Sequence, residues 1–176
     1  KGSSGRFPSD IEVIDALKSK NIYSMKSKNK HFLFESIENY ENSEKINVYD
    51  GLENGTFSIE HIMPKSLTKQ WQDELGPGYK LVHEELLHNI GNLSLTAYNS
   101  NMQNKPFKEK KDIAFNDSRF WLNSTLKNET NWTEASILRR TKLISERILK
   151  IWPCVESSTE ISRSEERRVG KECLRL

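Results

Sequence analysis

Apolar positions along the chain fall into a few clear periodicities. Ile11, Ile14 and Leu17 follow Ser9 at helical spacing, and Ser9 with Glu12 has the form of a capping box, so a first helix is expected over residues 9–20. A lysine-rich connector with Lys26, Lys28 and Lys30 leads to a second expected helix over 31–40. Phe34, Ile37 and Leu33 lie on its buried face, and its exposed side is acidic. DGLENG at 50–55 reads as a turn. FSIEHIMP at 57–64 then alternates apolar and polar residues, the pattern of a strand stopped by Pro64. Past it, SLTKQWQDELG gives a short helix from Ser66 ended by Gly76-Pro77-Gly78, and IGNLSLT at 90–96 gives a second strand.

The stretch YNSNMQNKPFKEKK at 98–111 is polar, asparagine-rich and basic. Two helices are expected beyond it, near 118–126 and over 133–152. The second carries Ile137, Ile144, Ile148 and Ile151 near one face and, at about 1.5 Å per residue, is long enough to brace the domain. Trp71, Trp121, Trp132 and Trp152 fall in these helices or at their ends, where such residues anchor cores. The fold class that follows is α+β and mainly helical, with two short strands and no internal repeat.

Composition narrows the class. A chain of 176 residues suffices for one domain with a real core. Hydrophobic residues at 35% and charged residues at 30% fit a polar globular protein without a membrane span or a secretory signal, which makes the cytoplasm the expected compartment. Cys154 and Cys173 give neither a disulfide framework nor paired knuckles, so no structural zinc is expected. The net charge of +2 comes from the end of the chain. Residues 163–176, RSEERRVGKECLRL, resemble a translated sequencing adapter; they carry five basic and three acidic residues, and the remainder is balanced. The alternative is a genuine disordered basic tail. The expected layout is a domain over 1–155, a disordered tail over 156–176, and, from the abrupt KGSSGRFPSD start, a missing upstream part.

One motif can be set aside on geometry. HEELLH at 83–88 resembles the HExxH zinc signature, but its two histidines are five positions apart, about 140° around a helix axis rather than on one face. His83 then reads as a surface residue, while His88, leading into the second strand, either orients site groups or fills the core. A better constellation is Glu60-His61 closing one strand, Asn92 opening the next, and Asn99, Asn101 and Asn104 crowding the start of a helix.

That order resembles the ββα-metal core of the HNH nucleases. The segments FPSD, IEHIMP, a Trp-containing helix, HNIGNLSLT, YNS and NKPFKEKK further resemble, from Phe7 to about Trp152, the C-terminal nuclease domain of GmrSD-type modification-dependent restriction enzymes. The resemblance implies a ββα-metal core embedded in a helical shell and a metal-dependent DNA endonuclease in a phage-defence system. His61 would be its general base, and Glu60 with a late asparagine would hold one Mg²⁺ or Mn²⁺. Spacing from Asn92 favours Asn101, the YNS pattern favours Asn99, and both stay open. Asn92 and Asn104 are expected to fix local backbone by hydrogen bonds, and Lys105, Lys108, Lys110 and Lys111 to contact phosphates. Arg139, Arg140, Lys142, Arg147 and Lys150 would extend that basic surface. The implied partners are DNA, base-modified in such systems, and an upstream nucleotide-binding domain or subunit. The rivals are a ββα module that binds DNA or assembles without cutting, and an RNase.

Overall fold

The Ser9 hydroxyl accepts the Glu12 N–H while the Glu12 carboxylate accepts the Ser9 N–H, and this reciprocal cap opens α1, Asp10–Ser19. The computed structural model describes residues 8–97 and 102–153, so the expected tail and both cysteines lie outside the described residues. Helix α2 (Ser27–Asn39) starts earlier than its apolar pattern suggests. The stretch DGLENG is mostly helix rather than turn. Asn47 caps α3 (Val48–Glu53) by accepting the Asp50 N–H, and the chain reverses only at Asn54-Gly55, where Gly55 takes φ 78°.

Strand β1 (Ser58–His61) pairs antiparallel with β2 (Leu93–Thr96), setting Glu60 opposite Ser94 and His61 opposite Leu93. Between the strands run α4 (Lys69–Leu75), capped by Thr68 and ended at Gly76, then α5 (Tyr79–Leu86) and a 3₁₀ turn, Ile90–Asn92. The sequence pattern did not reveal α5, because its apolar face is short and follows the Gly-Pro-Gly break. After β2 come α6 (Phe107–Lys110), which continues into a π-helical turn at Lys111–Phe115, then α7 (Trp121–Ser124) and α8 (Glu134–Ile151). The architecture is α+β and mainly helical, as expected. No described helix is long and apolar enough to cross a membrane.

Two apolar clusters flank the sheet. One gathers Phe34, Ile37, Val48, Leu93, Leu95 and Ile144; the other gathers Ile62, Met63, Trp71, Phe107, Phe115 and Trp132. The chain passes from the first to the second where β1 ends, so Glu60 and His61 sit at their boundary. Helix α8 lies on the 3₁₀ turn. There the Asn89 side chain donates to the Leu17 and Lys18 carbonyls and accepts from Gly91 N–H and the Thr141 hydroxyl, tying α1, the turn and α8 together.

Buried charge holds the other side of the core. Glu38 is buried, contrary to the acidic exposed side expected for α2. Its carboxylate accepts the N–H groups of Trp121 (2.6 Å) and Leu122 (3.0 Å), closing the start of α7. Arg140, expected on a basic surface, is buried as well and donates to the carbonyls of Gly91, Leu93 and Leu122 and to the Thr125 hydroxyl. Arg147 likewise turns inward to the carbonyls of Ile37 and Tyr40. Arg139 pairs with Glu129.

Burial raises the Glu38 carboxyl from 4.5 to about 7, against the Leu122 and Trp121 N–H bonds and the charges of Arg140 and Arg147. A folded value above the unfolded one means that the native state holds the extra proton in this window. The associated stability is present below the unfolded value and is lost as pH rises through the folded one. At about 1.4 kcal/mol per unit, the loss is on the order of 3 kcal/mol. Urea unfolding at pH 5 and pH 8 should show this fall in the native protein and not in Glu38→Gln; parallel curves for the two would contradict it.

Candidate active site

The exit from β1 builds the site. Neighbours on a regular strand face opposite ways, yet Glu60 and His61 line one cleft of about 210 Å³, because the strand stops at His61 and the backbone turns. Asn92 fixes that turn. Its amide oxygen accepts the Met63 N–H (2.8 Å) and the Trp132 indole N–H (3.0 Å), and its amide nitrogen donates to the Met63 and Leu87 carbonyls. Pro64 closes the segment, its carbonyl meeting His83 Nε2 at 3.0 Å. His83 is therefore half-buried beneath the loop rather than a free surface residue, and His88 lies beyond the end of α5.

Glu60 is 5% exposed and its Oε1 lies 2.5 Å from Lys110 Nζ, which also donates to the His61 carbonyl at 2.8 Å. Burial pushes the Glu60 carboxyl up, opposed by the ammoniums of Lys110 and Lys65, and pushes the Lys110 ammonium down, opposed by Glu60. Oε2 has no hydrogen-bond partner among the described residues and is not sealed from solvent, so it opens on the cleft.

The His61 ring nitrogen Nε2 meets Nδ1 of His88 at 3.0 Å. Burial, followed by charge at His88, Lys65, Lys110 and His83, pushes the His61 ring down to about 3, so it is uncharged at neutral pH. Tyr23, from the turn between α1 and α2, tilts over His61 with ring centroids 4.7 Å apart and stacks on His88 at 5.4 Å. Asn104 and Gln103 form the opposite rim; Gln103 holds a left-handed φ of 37°.

The expected site residues thus divide. Glu60, His61 and Asn104 share the cleft, His88 touches His61, and Asn92 supports the loop from below. Asn99 and Asn101 lie outside the described residues. The expected lysine surface breaks up. Lys110 is fully buried and committed to Glu60, which rules it out as a surface phosphate contact. Lys111 donates to the carbonyls of Lys127 and Glu129, Lys105 pairs with Glu109, and Lys108 stays exposed. Helical spacing carried a signal here, since Lys110 follows Phe107 by three positions on the face that enters the core. The sequence reading missed Tyr23 and Lys65, although Lys65 directly follows IEHIMP.

A larger cavity of about 460 Å³, bordered by Phe57, Thr96 and Phe120, carries Asp117 and Arg119 but no histidine. The acid-base groups belong to the smaller cleft. Among the described residues no three His, Cys, Asp or Glu side chains gather to hold a metal ion, so any ion here would depend on the Glu60 oxygen and amide oxygens. Hard oxygen donors of that kind, few in number, suit a cation that keeps most of its waters.

No curated protein matches the chain. The family model of GmrSD restriction endonucleases, C-terminal domain, matches residues 7–147, a span that contains β1, β2 and every described side chain of the cleft. With four-fifths of its length matched, the chain belongs to the C-terminal domain family of the GmrSD restriction endonucleases.

Proposed function

We propose that this chain is an HNH-type DNA endonuclease of ββα-metal architecture that hydrolyses phosphodiester bonds with His61 as general base. The observation that carries the reading is the convergence of Glu60 Oε2 and the His61 ring on one open cleft. His61 Nε2 meets His88 Nδ1; with His61 as the donor of that bond, its Nδ1 lone pair is left to take a proton from water. A ring held near 3 is a weak base. A phosphodiester anion arriving beside it favours the imidazolium and makes it a stronger one.

Glu60, with Asn99 or Asn101, would hold one Mg²⁺ or Mn²⁺. When bound, that ion supplies neutralising charge for the phosphoryl and leaving oxygens. Lys110 holds the other Glu60 oxygen and so fixes the carboxylate's direction. Family membership supports a restriction role; we place that role in the cytoplasm, against foreign, base-modified DNA, with NTP-dependent control supplied by a separate nucleotide-binding unit.

Lys110 also favours the rival reading. An ammonium 2.5 Å from the carboxylate already neutralises it, as would suit a module that binds DNA without cutting. Supercoiled plasmid separates the two. The expected result is nicking or linearisation with Mg²⁺ or Mn²⁺ that stops on chelation. Retention of DNA without metal-dependent cutting would establish the rival, and preference for competing RNA would make the chain an RNase.

A further inference from the structure

On the rim of the cleft stands a cation that forms no ion pair among the described residues. Lys65 is exposed, and its ammonium lies 4.4 Å from the Tyr23 ring centroid and 3.3 Å from the Tyr23 hydroxyl. It has no carboxylate partner among the described residues. Of the other lysines described above, Lys110 is engaged by Glu60, Lys105 by Glu109 and Lys111 by two carbonyls, while exposed Lys108 does not line the cleft. A lysine head group left in water samples many rotamers, whereas one resting on an aromatic face and a phenol oxygen is held in place without losing its charge.

The support for Lys65 is itself built. The Ile22 N–H donates to the His88 carbonyl at 3.0 Å, which brings Tyr23 against both histidines. Lys30, on α2, donates to the Tyr23 carbonyl at 2.8 Å and places a second ammonium 4.7 Å from the same ring. The charge of Lys65 reaches the site, for it is among the influences acting on Glu60, His61 and His88. A positioned ammonium without an ion-pair partner among the described residues, next to the candidate base, calls for an anion.

We infer that Lys65, propped by Tyr23, grips a DNA backbone phosphate at the mouth of the cleft and sets the strand in register with His61. The inference rests on the nuclease reading for its ligand but makes a claim of its own: substrate is tracked along the Tyr23–Lys65 side of the cleft, not along the lysines after Pro106. Lys65 is a positioning residue here, since an ammonium on a phosphate holds the strand and performs no proton transfer.

The test is binding of a fluorescently labelled 30-base-pair duplex by the full chain carrying His61→Ala, titrated at roughly 50 to 200 mM salt. Adding Lys65→Ala should weaken binding roughly fivefold at the lower salt and reduce the slope of log affinity against log salt by about 1. Lys65→Arg should restore both. Lys69→Ala, which removes a neighbouring lysine already paired with Asp73, should change neither.

An unchanged affinity and slope for Lys65→Ala would overturn the inference, as would an equal loss for Lys69→Ala or a parent that binds no duplex. Cleavage by the native protein is scored separately. If it cuts plasmid and Lys65→Ala cuts with the same KM, the inference fails and the nuclease reading stands. If nothing is cut but the Lys65 effect on binding appears, the nuclease reading fails and the phosphate contact stands.

Discussion

His61→Ala is expected to leave supercoiled plasmid uncut over a period in which the native protein consumes it, a fall of about 10³-fold in rate. The magnitude follows from what the ring supplies. Water attacks a phosphodiester poorly unless a base removes its proton as the new bond forms, and among the residues described in the cleft His61 is the uncharged nitrogen base. Its Nε2 is tied to His88, so the ring cannot swing away, and its backbone carbonyl is tied to Lys110. Alanine removes the imidazole while leaving the carbonyl bond and the Asn92 cradle in place. The variant should therefore unfold within a few degrees of the native protein and bind duplex DNA about as well. Cutting within tenfold of the native rate, by a variant with the same far-ultraviolet circular dichroism, would remove His61 from the role of base.

Gly91→Ala should be the most damaging single methyl group in the domain. A Cβ at this position would stand 2.2 Å from Thr141 Oγ1, 2.3 Å from the Ile137 carbonyl oxygen and 3.0 Å from the Thr141 nitrogen. Two of these atoms are backbone of α8, so a rotamer change cannot make room. The helix must withdraw. Withdrawal stretches the Arg140 bond to the Gly91 carbonyl (2.7 Å) and the Thr141 bond to Asn89 (2.6 Å). We expect a loss of at least about 3 kcal/mol, seen as a drop of roughly 10 °C in Tm. Gly51→Ala gives the contrast, because the three atoms nearest its Cβ all belong to the ring of half-buried Phe57, a side chain that can shift, and none is backbone. A Gly91→Ala protein as stable as Gly51→Ala would mean that α8 does not press on the turn as described.

The sequence disclosed what depends on neighbours along the chain. The Ser9–Glu12 cap, both strands and the long last helix are local patterns, and each appears within the span its periodicity gave it, although Ile90–Asn92, expected as the start of the second strand, forms a 3₁₀ turn. The helix at Val48–Glu53 was hidden because Gly51 and Asn54-Gly55 carry turn chemistry, and only packing of Val48 and Gly51 against the core keeps that segment helical. Glu38 and Arg140 were assigned to solvent on the ordinary habits of charged residues. Their burial depends on backbone groups more than forty positions away, which no local pattern encodes. For the site, Glu60 and His61 were legible as a pair, whereas Lys110 meets Glu60 only after the helix beyond β2 folds back across fifty positions.

One amide, that of Asn92, serves the loop leaving β1, the end of α5 and the indole that leads into α8. The parts of the chain that would carry out chemistry and the parts that resist heat thus share a fastening. Loosening it to gain mobility at the reaction centre would slacken the scaffold in the same stroke, which leaves adaptation to new targets to the rim of the cleft, where exposed Gln103 and Asn104 can vary without disturbing what lies beneath.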